Sequence, residues 1–398
     1  MRLVADRLGV LGFLVTDDTV GNQAIKDQRA ALEWTRDNIA NFGGDPNSVT
    51  IGGQSAGAMS VIVHLVSKAS AGLFHRAILE SPVAGFQYQR AEVQREVFGK
   101  KFAKLAGCAS GNTTCLRALS ARTAIGLGEQ AAGAVGAAII DRLLEGGRIE
   151  DAFAMQWAPV VDGSELAAQP LELFEKGLWN KVPLLIGTNQ DEGATFVYDG
   201  VDTWLPEALF PDVMDGIFGR DGGNVTSFYR TVSSSWHDLR DSLSYVLTDF
   251  WFKCASARFA LLADSQGQPS WSYRFQHVPS FAKLFTQYLP KVCESRTCHA
   301  VEIPFIFNNF ANYSSVVSAD EKVLSSRLLA FWSNFIAHGD PNTGSPVTIP
   351  WPRFNGSARL NLRAATPSFG VESTKVDQPG AMHTPGVCEF YDEIGYKH

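Results

Sequence analysis

No run of about 18 apolar residues occurs in this chain, so no membrane-spanning helix is expected. A block of basic residues is also missing. Charged residues make up 19% of the chain and the formal net charge is −7, which argues against nucleic acid as a partner. There is no internal repeat and no long low-complexity linker. The Ala/Gly-rich piece from Ala131 to Ala138 is short and reads as helix or loop rather than as a domain boundary. Met1 to Val15 carries apolar residues, but Asp6 and Arg7 interrupt them, so no signal-peptide core is expected within that stretch. The chain is well supplied with core material. Apolar residues are 45% of its 398 positions, enough for one large domain or two ordinary ones.

The most informative stretch is Gly53-Gln54-Ser55-Ala56-Gly57, a G-x-S-x-G sequence. Upstream, Ser48 to Gly52 reads as a short β-branched strand. Downstream, Ala58 to Leu65 reads as an apolar helix. Strand, tight turn and helix together make a nucleophile elbow. The turn strains the serine backbone, small neighbours let the chain pass closely, and the hydroxyl stands at a helix N-terminus where an oxyanion is favoured.

The wider pattern alternates strands with helices. Strands are expected at Leu3–Leu8, Val49–Gly53, Arg76–Glu80, Val182–Ile186 and Ser270–Phe275. Helices are expected at Asp27–Asn41, Ala56–Ser67, Gln94–Leu105 and Lys322–Ala337, the last carrying Leu324, Leu328, Leu329, Trp332, Phe335 and Ile336. Such alternation implies an α/β fold with a mostly parallel sheet covered on both faces.

The elbow lies within a longer signature. Gly21-Asn22, Asp27-Gln28, Ala31-Leu32-Glu33-Trp34, Asn38-Ile39, Phe42-Gly43-Gly44-Asp45-Pro46 and Val49-Thr50 lead into it. Pro159-Val160-Val161-Asp162-Gly163, Gly187 to Gly193, His299 to Pro304 and Trp332 to Phe335 follow it. Across essentially its whole length the chain resembles the type-B carboxylesterases, the cholinesterase-like branch of the α/β-hydrolases. The resemblance implies a single α/β-hydrolase domain over 1–398 and a serine hydrolase acting on carboxylic esters, with no cofactor and no metal. Arg7 to Leu14 resembles an internal stretch of that family, so the chain is expected to begin mid-fold, with N-terminal strands missing.

A serine needs a base, and the base needs an orienting carboxylate. In this fold the acid follows the serine in the chain and the histidine follows the acid. The run after Val182–Ile186 holds two adjacent carboxylates, Asp191 and Glu192. The family motif places the acid at Glu192, whereas spacing alone does not separate the two. Asp162 is a weaker rival that suits the turn at Gly163. Of eight histidines, His64 and His75 precede the acid and are ruled out by that order. His338 reads as the last residue of a helix. His299 matches the family's His-x-x-Glu motif, with Glu302 as its supporting carboxylate, while His237, His277, His383 and His398 read as surface residues. Ser81 matches a family serine that orients the triad, although Pro82 follows where glycine is usual. Gln54 replaces the glutamate common before the nucleophile, which removes a negative charge and disfavours cationic substrates.

Six cysteines suggest paired thiols. Cys108 and Cys115 flank one polar loop, and Cys293 and Cys298 flank another, immediately before His299. The remaining pair, Cys254 and Cys388, resembles the family's long-range bridge; six free thiols would be the alternative. Sequons at Asn112, Asn224, Asn312 and Asn355 agree with a secreted or secretory-pathway glycoprotein.

The resemblance also implies an oxyanion hole built from the backbone N–H of Ala56 and a His-Gly-Gly-Gly-like loop. No substitute for that loop is found, since Gly43-Gly44 and Gly222-Gly223 lie in other contexts. Losing one such donor costs about 10²–10³ in turnover. Three readings follow: an ester hydrolase acting on small-molecule esters, a catalytically impaired short form, and a cholinesterase-like binding or adhesion protein without activity. Phe196, Tyr198, Trp204, Trp236, Phe250 and Trp251 could line an access gorge.

Overall fold

The computed structural model describes residues 4–132, 156–201, 203–232, 238–285, 289–312, 314–347, 350–354, 368–369 and 386–396. His237, His383, His398, Trp236, Asn355 and most of the Ala/Gly-rich piece lie outside the described residues.

The organising element is a parallel sheet in sequential order. Its strands are β1 (Thr50–Gln54), β2 (Arg76–Glu80), β3 (Leu184–Asn189), β4 (Ser270–Phe275) and a two-residue β5 (Ser368–Phe369). Every pairing is parallel, with Gly53 opposite Leu79, Ile78 opposite Leu185 and Leu185 opposite Trp271. All six residues of β3 and all six of β4 are buried, as expected where helices cover both faces of a parallel sheet.

Seven helices matter here: α1 (Gln23–Asn38), α2 (Ala56–Val66), α3 (Glu192–Gly200), α4 (Leu239–Leu247), α5 (Ala255–Ser265), α6 (Ala319–His338) and α7 (Val387–Ile394). The period of two along each strand sorts the core into two layers. Ala77, Leu79, Leu184 and Ile186 point to one side, where they pack with Val61, Ile62 and Leu65 of α2 and with Phe259 and Ala263 of α5. Ile78, Leu185, Trp271 and Tyr273 point to the other side and pack with Leu324, Leu328, Trp332 and Phe335 of α6. A third cluster gathers Val246 of α4, Phe250, Cys254 and Tyr391 of α7.

Helix α6 extends beyond the expected Lys322–Ala337, starting three residues earlier at Ala319 and ending one later at His338. Ser318 caps it in a reciprocal box with Glu321, and Gly339 closes it in the left-handed region at φ 73°. β3 differs from expectation in register: it starts at Leu184 and runs on to Asn189. Its polar end, Thr188-Asn189, stays in the ladder with β4 opposite Arg274 and Phe275. The expected strand at Leu3–Leu8 is not formed over the described residues 4–8, and a short helix, Gly9–Phe13, follows them. Among the described residues β1 is the edge of the sheet, and no described strand pairs with that segment. Arg7 instead binds the Asp27 carboxylate of α1 through both backbone and side chain.

Three disulfides form: Cys108–Cys115, Cys254–Cys388 and Cys293–Cys298. The second fastens α7 to Cys254, the last residue of the π-helical segment Thr248–Cys254 that runs directly into α5. Among the described residues no helix is long and apolar enough to cross a membrane, and no cluster of His, Cys, Asp and Glu is arranged to hold a metal ion.

Candidate active site

The elbow forms where the sequence suggested. Ser55 follows the last residue of β1 and precedes the first of α2, with φ 55° and ψ −120°. A non-glycine residue held there costs about 1–3 kcal/mol, and its surroundings must enforce it. Two features do so. Ser55 N–H donates to Glu80 O at 2.9 Å, across the end of β2. Gly53 lies so close to the returning chain that a Cβ there would stand 2.3 Å from the Gly57 carbonyl carbon. Gly57 itself has open space where a Cβ would be, so only the first glycine of the motif is sterically required by the described residues. Ala56 opens α2, whose first N–H groups have no acceptor within the helix. Gly43 closes the turn at Ile39–Phe42 and Gly222 opens a helix, so neither glycine pair lies at the elbow.

The candidate acid and base lie on the carboxyl side of the sheet, Glu192 just past the end of β3 and His299 on a loop further along the chain after β4. Glu192 is the first residue of α3 and is fully buried. Its Oε1 accepts the Asn189 N–H at 2.6 Å and its Oε2 accepts from His299 Nδ1 at 2.5 Å. The N-terminus of α3 favours a carboxylate there. Asp191, the neighbouring candidate, turns elsewhere: its Oδ2 accepts Thr297 N–H at 3.0 Å while its own N–H donates to Thr297 O at 3.0 Å. Burial pushes the Asp191 carboxyl up, against the stabilising hydrogen bond from Thr297.

Those two bonds belong to a wider seam. His299 N–H donates to Thr195 Oγ1 at 3.1 Å and Asn189 Nδ2 donates to Cys298 O at 2.8 Å. The Cys293–Cys298 bridge constrains the same loop from its other end. Gly193 allows α3 to lie against α4, since a Cβ there would be 2.2 Å from Ser244 O. Burial by itself would lower the His299 pKa, but the Glu192 charge and hydrogen bond, aided by Glu302, outweigh it and leave the imidazole above its ordinary value. The rings of Phe196 and Phe252 lie 5.1 and 5.3 Å from the imidazole.

On the far side of the imidazole, His299 Nε2 is 3.1 Å from Gln54 Nε2. Gln54 immediately precedes Ser55, so the imidazole lies beside the elbow. Ser55 Oγ makes no hydrogen bond among the described residues.

Behind the site is a layer of buried carboxyls. Glu302 Oε2 accepts from Asn189 Nδ2 at 2.5 Å, and burial together with the Glu192 charge raises its pKa to about 7. Glu80 Oε1 accepts from Trp332 Nε1 at 2.7 Å, and burial with the Glu302 charge raises Glu80 to about 8. Ser81 is fully buried at φ 48°, its N–H donates to Gly187 O at 2.8 Å, and its Oγ has no described partner. The orienting contact expected of Ser81 is therefore not made.

The other histidines have structural places. His64 is buried between Ser70 and Gln28, and burial lowers its pKa to about 4. His75 Nδ1 accepts from Val49 N–H, and His338 is the exposed last residue of α6. His277 is not a free surface residue: its Nε2 pairs with Glu321 at 2.9 Å. Tyr198 bonds Asp241 under the Arg240 guanidinium, and Phe250 belongs to the third core cluster. Of the proposed gorge aromatics, Phe196 stands against the imidazole. Sequence reasoning missed Asn189, Thr195 and Thr297. A signal existed for Asn189, which with Thr188 makes a polar end to a strand that begins apolar.

A parallel sheet covered by helices on both faces, with a tight strand–turn–helix at Ser55, is the architecture of the α/β-hydrolases. Comparison with known proteins narrows the class: the carboxylesterase family matches residues 5–378, and the chain belongs to that family. It is 32% identical over 393 residues to the crystal protein of Dictyostelium discoideum, covering 98% of this chain and 67% of that protein. It is 35% identical over 362 residues to the acylcarnitine hydrolase of Rattus norvegicus, covering 87% of this chain and 59% of that one. Carboxylesterase 5A of Canis lupus familiaris is 31% identical over 376 residues, with coverages of 88% and 59%. The chain thus spans 59–67% of the length of these relatives.

Proposed function

We propose that this chain carries the catalytic residues of a carboxylic ester hydrolase that works through an acyl-enzyme on Ser55. The observation that carries the reading is the 2.5 Å bond between Glu192 Oε2 and His299 Nδ1, with the opposite imidazole nitrogen turned toward the elbow. The carboxylate fixes a proton on Nδ1 and leaves a lone pair on Nε2. That nitrogen takes the Ser55 proton as Oγ attacks the ester carbonyl. The tetrahedral oxyanion is received by the Ala56 N–H at the start of α2. Nε2 then returns the proton to the leaving alcohol, and water repeats the sequence on the acyl-enzyme to release the acid.

Family membership and relatives named as carboxylesterase and acylcarnitine hydrolase support the reaction class. The neutral Gln54 beside the base favours uncharged esters over cationic ones. A second proposal concerns compartment. Three disulfides and exposed sequon residues at Asn112, Asn224 and Asn312 support passage through an oxidising, secretory route. The side chain of Asn112 caps a helix through Oδ1, which leaves Nδ2 available for a glycan. A mobility shift after glycosidase treatment of protein from a eukaryotic host checks this.

The decisive experiment is hydrolysis of a short p-nitrophenyl ester, together with covalent labelling by a fluorophosphonate. The unaltered protein is expected to do both, and Ser55→Ala neither. Full esterase activity in Ser55→Ala would overturn the assignment. Inertness of both proteins would favour the binding-protein reading.

A further inference from the structure

We infer that Gln54 is a positioning residue that holds the working nitrogen of His299 in the ligand-free protein and yields it to Ser55 when an ester enters. The inference rests on the hydrolase reading above. It begins from a conflict over one lone pair. Glu192 Oε2 accepts from His299 Nδ1 at 2.5 Å, so Nδ1 carries the hydrogen and the neutral ring has a single acceptor, Nε2. The Gln54 amide nitrogen is 3.1 Å from that atom, and an amide N–H can only donate to it. Ser55 Oγ, which must donate to the same lone pair before it can attack, makes no hydrogen bond among the described residues. The acceptor is already engaged, and by the residue next to the nucleophile.

The imidazole is poorly placed to resolve the conflict by moving. Glu192 holds one nitrogen, Thr195 Oγ1 holds the His299 backbone, and Phe196 and Phe252 stand 5.1 and 5.3 Å from the ring. Gln54 is half-buried on the edge strand β1 and has three rotatable side-chain bonds. The movable partner is therefore the amide. An amide also suits both stages of the reaction. It donates through Nε2 to the neutral ring and, turned over, accepts through Oε1 from the imidazolium. A carboxylate at this place could bond only to the imidazolium, and would favour it. The charged groups that already act on His299 are Glu192 from α3 and Glu302 from behind the site; Gln54 adds a partner without adding charge.

Two substitutions test this. Gln54→Met keeps the length of the side chain and removes the amide. Gln54→Glu keeps the shape and adds the charge. The first readout is the protonation of His299, followed through its ring NMR signals in a Ser55→Ala background, where catalysis plays no part. Gln54→Glu is expected to raise its apparent pKa by about one unit or more, the shift produced by a carboxylate in contact. A change too small to resolve would mean that residue 54 does not touch Nε2, and would overturn the inference whether or not the protein is an esterase. The second readout is the rate of fluorophosphonate labelling of Ser55. Removing one net hydrogen bond that competes for the base should speed labelling in Gln54→Met about five-fold. A rate equal to or below that of the unaltered protein, with both proteins equally folded by circular dichroism, would show that Gln54 does not compete with Ser55. If Ser55 labels in no variant, the hydrolase reading fails, while the NMR result still decides the contact.

Discussion

The two halves of the site are built by different means. At the elbow, position is set by the backbone: a left-handed φ at Ser55, a bond from Ser55 N–H to Glu80 O, and a glycine that lets two chain segments pass. The half is shallow, lies on the edge strand, and leaves Ala56 exposed. In the half that holds Glu192 and His299, position is set by side chains. Asp191, Thr195 and Asn189 stitch the α3 loop to the His299 loop, and a disulfide holds the latter. That half is almost wholly buried. The comparison teaches which substitutions each half should tolerate. A backbone-made position fails when volume is added near it. A position made by a side-chain network fails by degrees, according to which bond is removed.

The largest effect should come from the bond on which the buried half turns. Glu192→Gln keeps the volume and removes the charge that orients and supports the imidazole. We expect kcat for a p-nitrophenyl ester to fall by about 10³–10⁴-fold with little change in stability. Asp191→Asn, one position away, should cost less than about 10-fold, because the amide oxygen still accepts from Thr297. Steady-state kinetics on the two variants would reveal a mistaken assignment as the reverse order. The next largest effect lies at the elbow and is read as stability. Gly53→Ala forces a methyl to within 2.3 Å of the Gly57 carbonyl carbon. We expect a loss of about 3 kcal/mol or more in urea unfolding. Gly57→Ala, with open space, should stay within about 1 kcal/mol.

Much of the backbone-made half was legible in the sequence, because glycine, strand and helix patterns are local. Gly53-Gln54-Ser55-Ala56-Gly57 announces its turn without help from distant residues. The alternation in Ala77-Ile78-Leu79 likewise gave two faces that the two core layers use. The network half was legible only through family resemblance. Spacing left Asp191 and Glu192 equivalent, since both follow β3 and both are carboxylates. What separates them is that Glu192 starts a helix facing the imidazole, whereas Asp191 faces the Thr297 backbone. That depends on contacts more than 100 positions apart in the chain, such as Asp191 with Thr297 and Glu192 with His299, at separations of 106 and 107. The Leu3–Leu8 strand was misread for a related reason: a β-like composition forms no strand without a neighbour to share its hydrogen bonds.

A finer cut through the network tests whether it positions or merely supports. Asp191→Ala removes the acceptor for Thr297 N–H and leaves a buried donor unpaired. We expect kcat to fall by about 10-fold while KM stays near its original value, since the loss loosens the base rather than the substrate site. Asp191→Asn should recover most of that rate. An equal rise in KM, or no recovery in the amide variant, would mean that Asp191 acts through general destabilisation of the loop.

The smallest effect is expected behind the base, and its sign follows from the charges. Under the proposed mechanism only neutral His299 can act as base, so kcat/KM should rise with pH through the pKa of that imidazole, which stands above its ordinary value. Glu192 supplies most of the support for the protonated form and Glu302 adds to it. Glu302→Gln removes one negative charge, so His299 should lose its proton at lower pH and the acid limb of the kcat/KM profile should move down. The shift should remain under about one unit, because the charge and hydrogen bond of Glu192, which stay in place, supply the larger share of the support. The plateau should hardly change: a glutamine oxygen can still accept from Asn189 Nδ2. An upward shift would mean that the carboxyl behind the base opposes the imidazolium rather than supporting it, and the buried half would then have to be read as strained against its own charge.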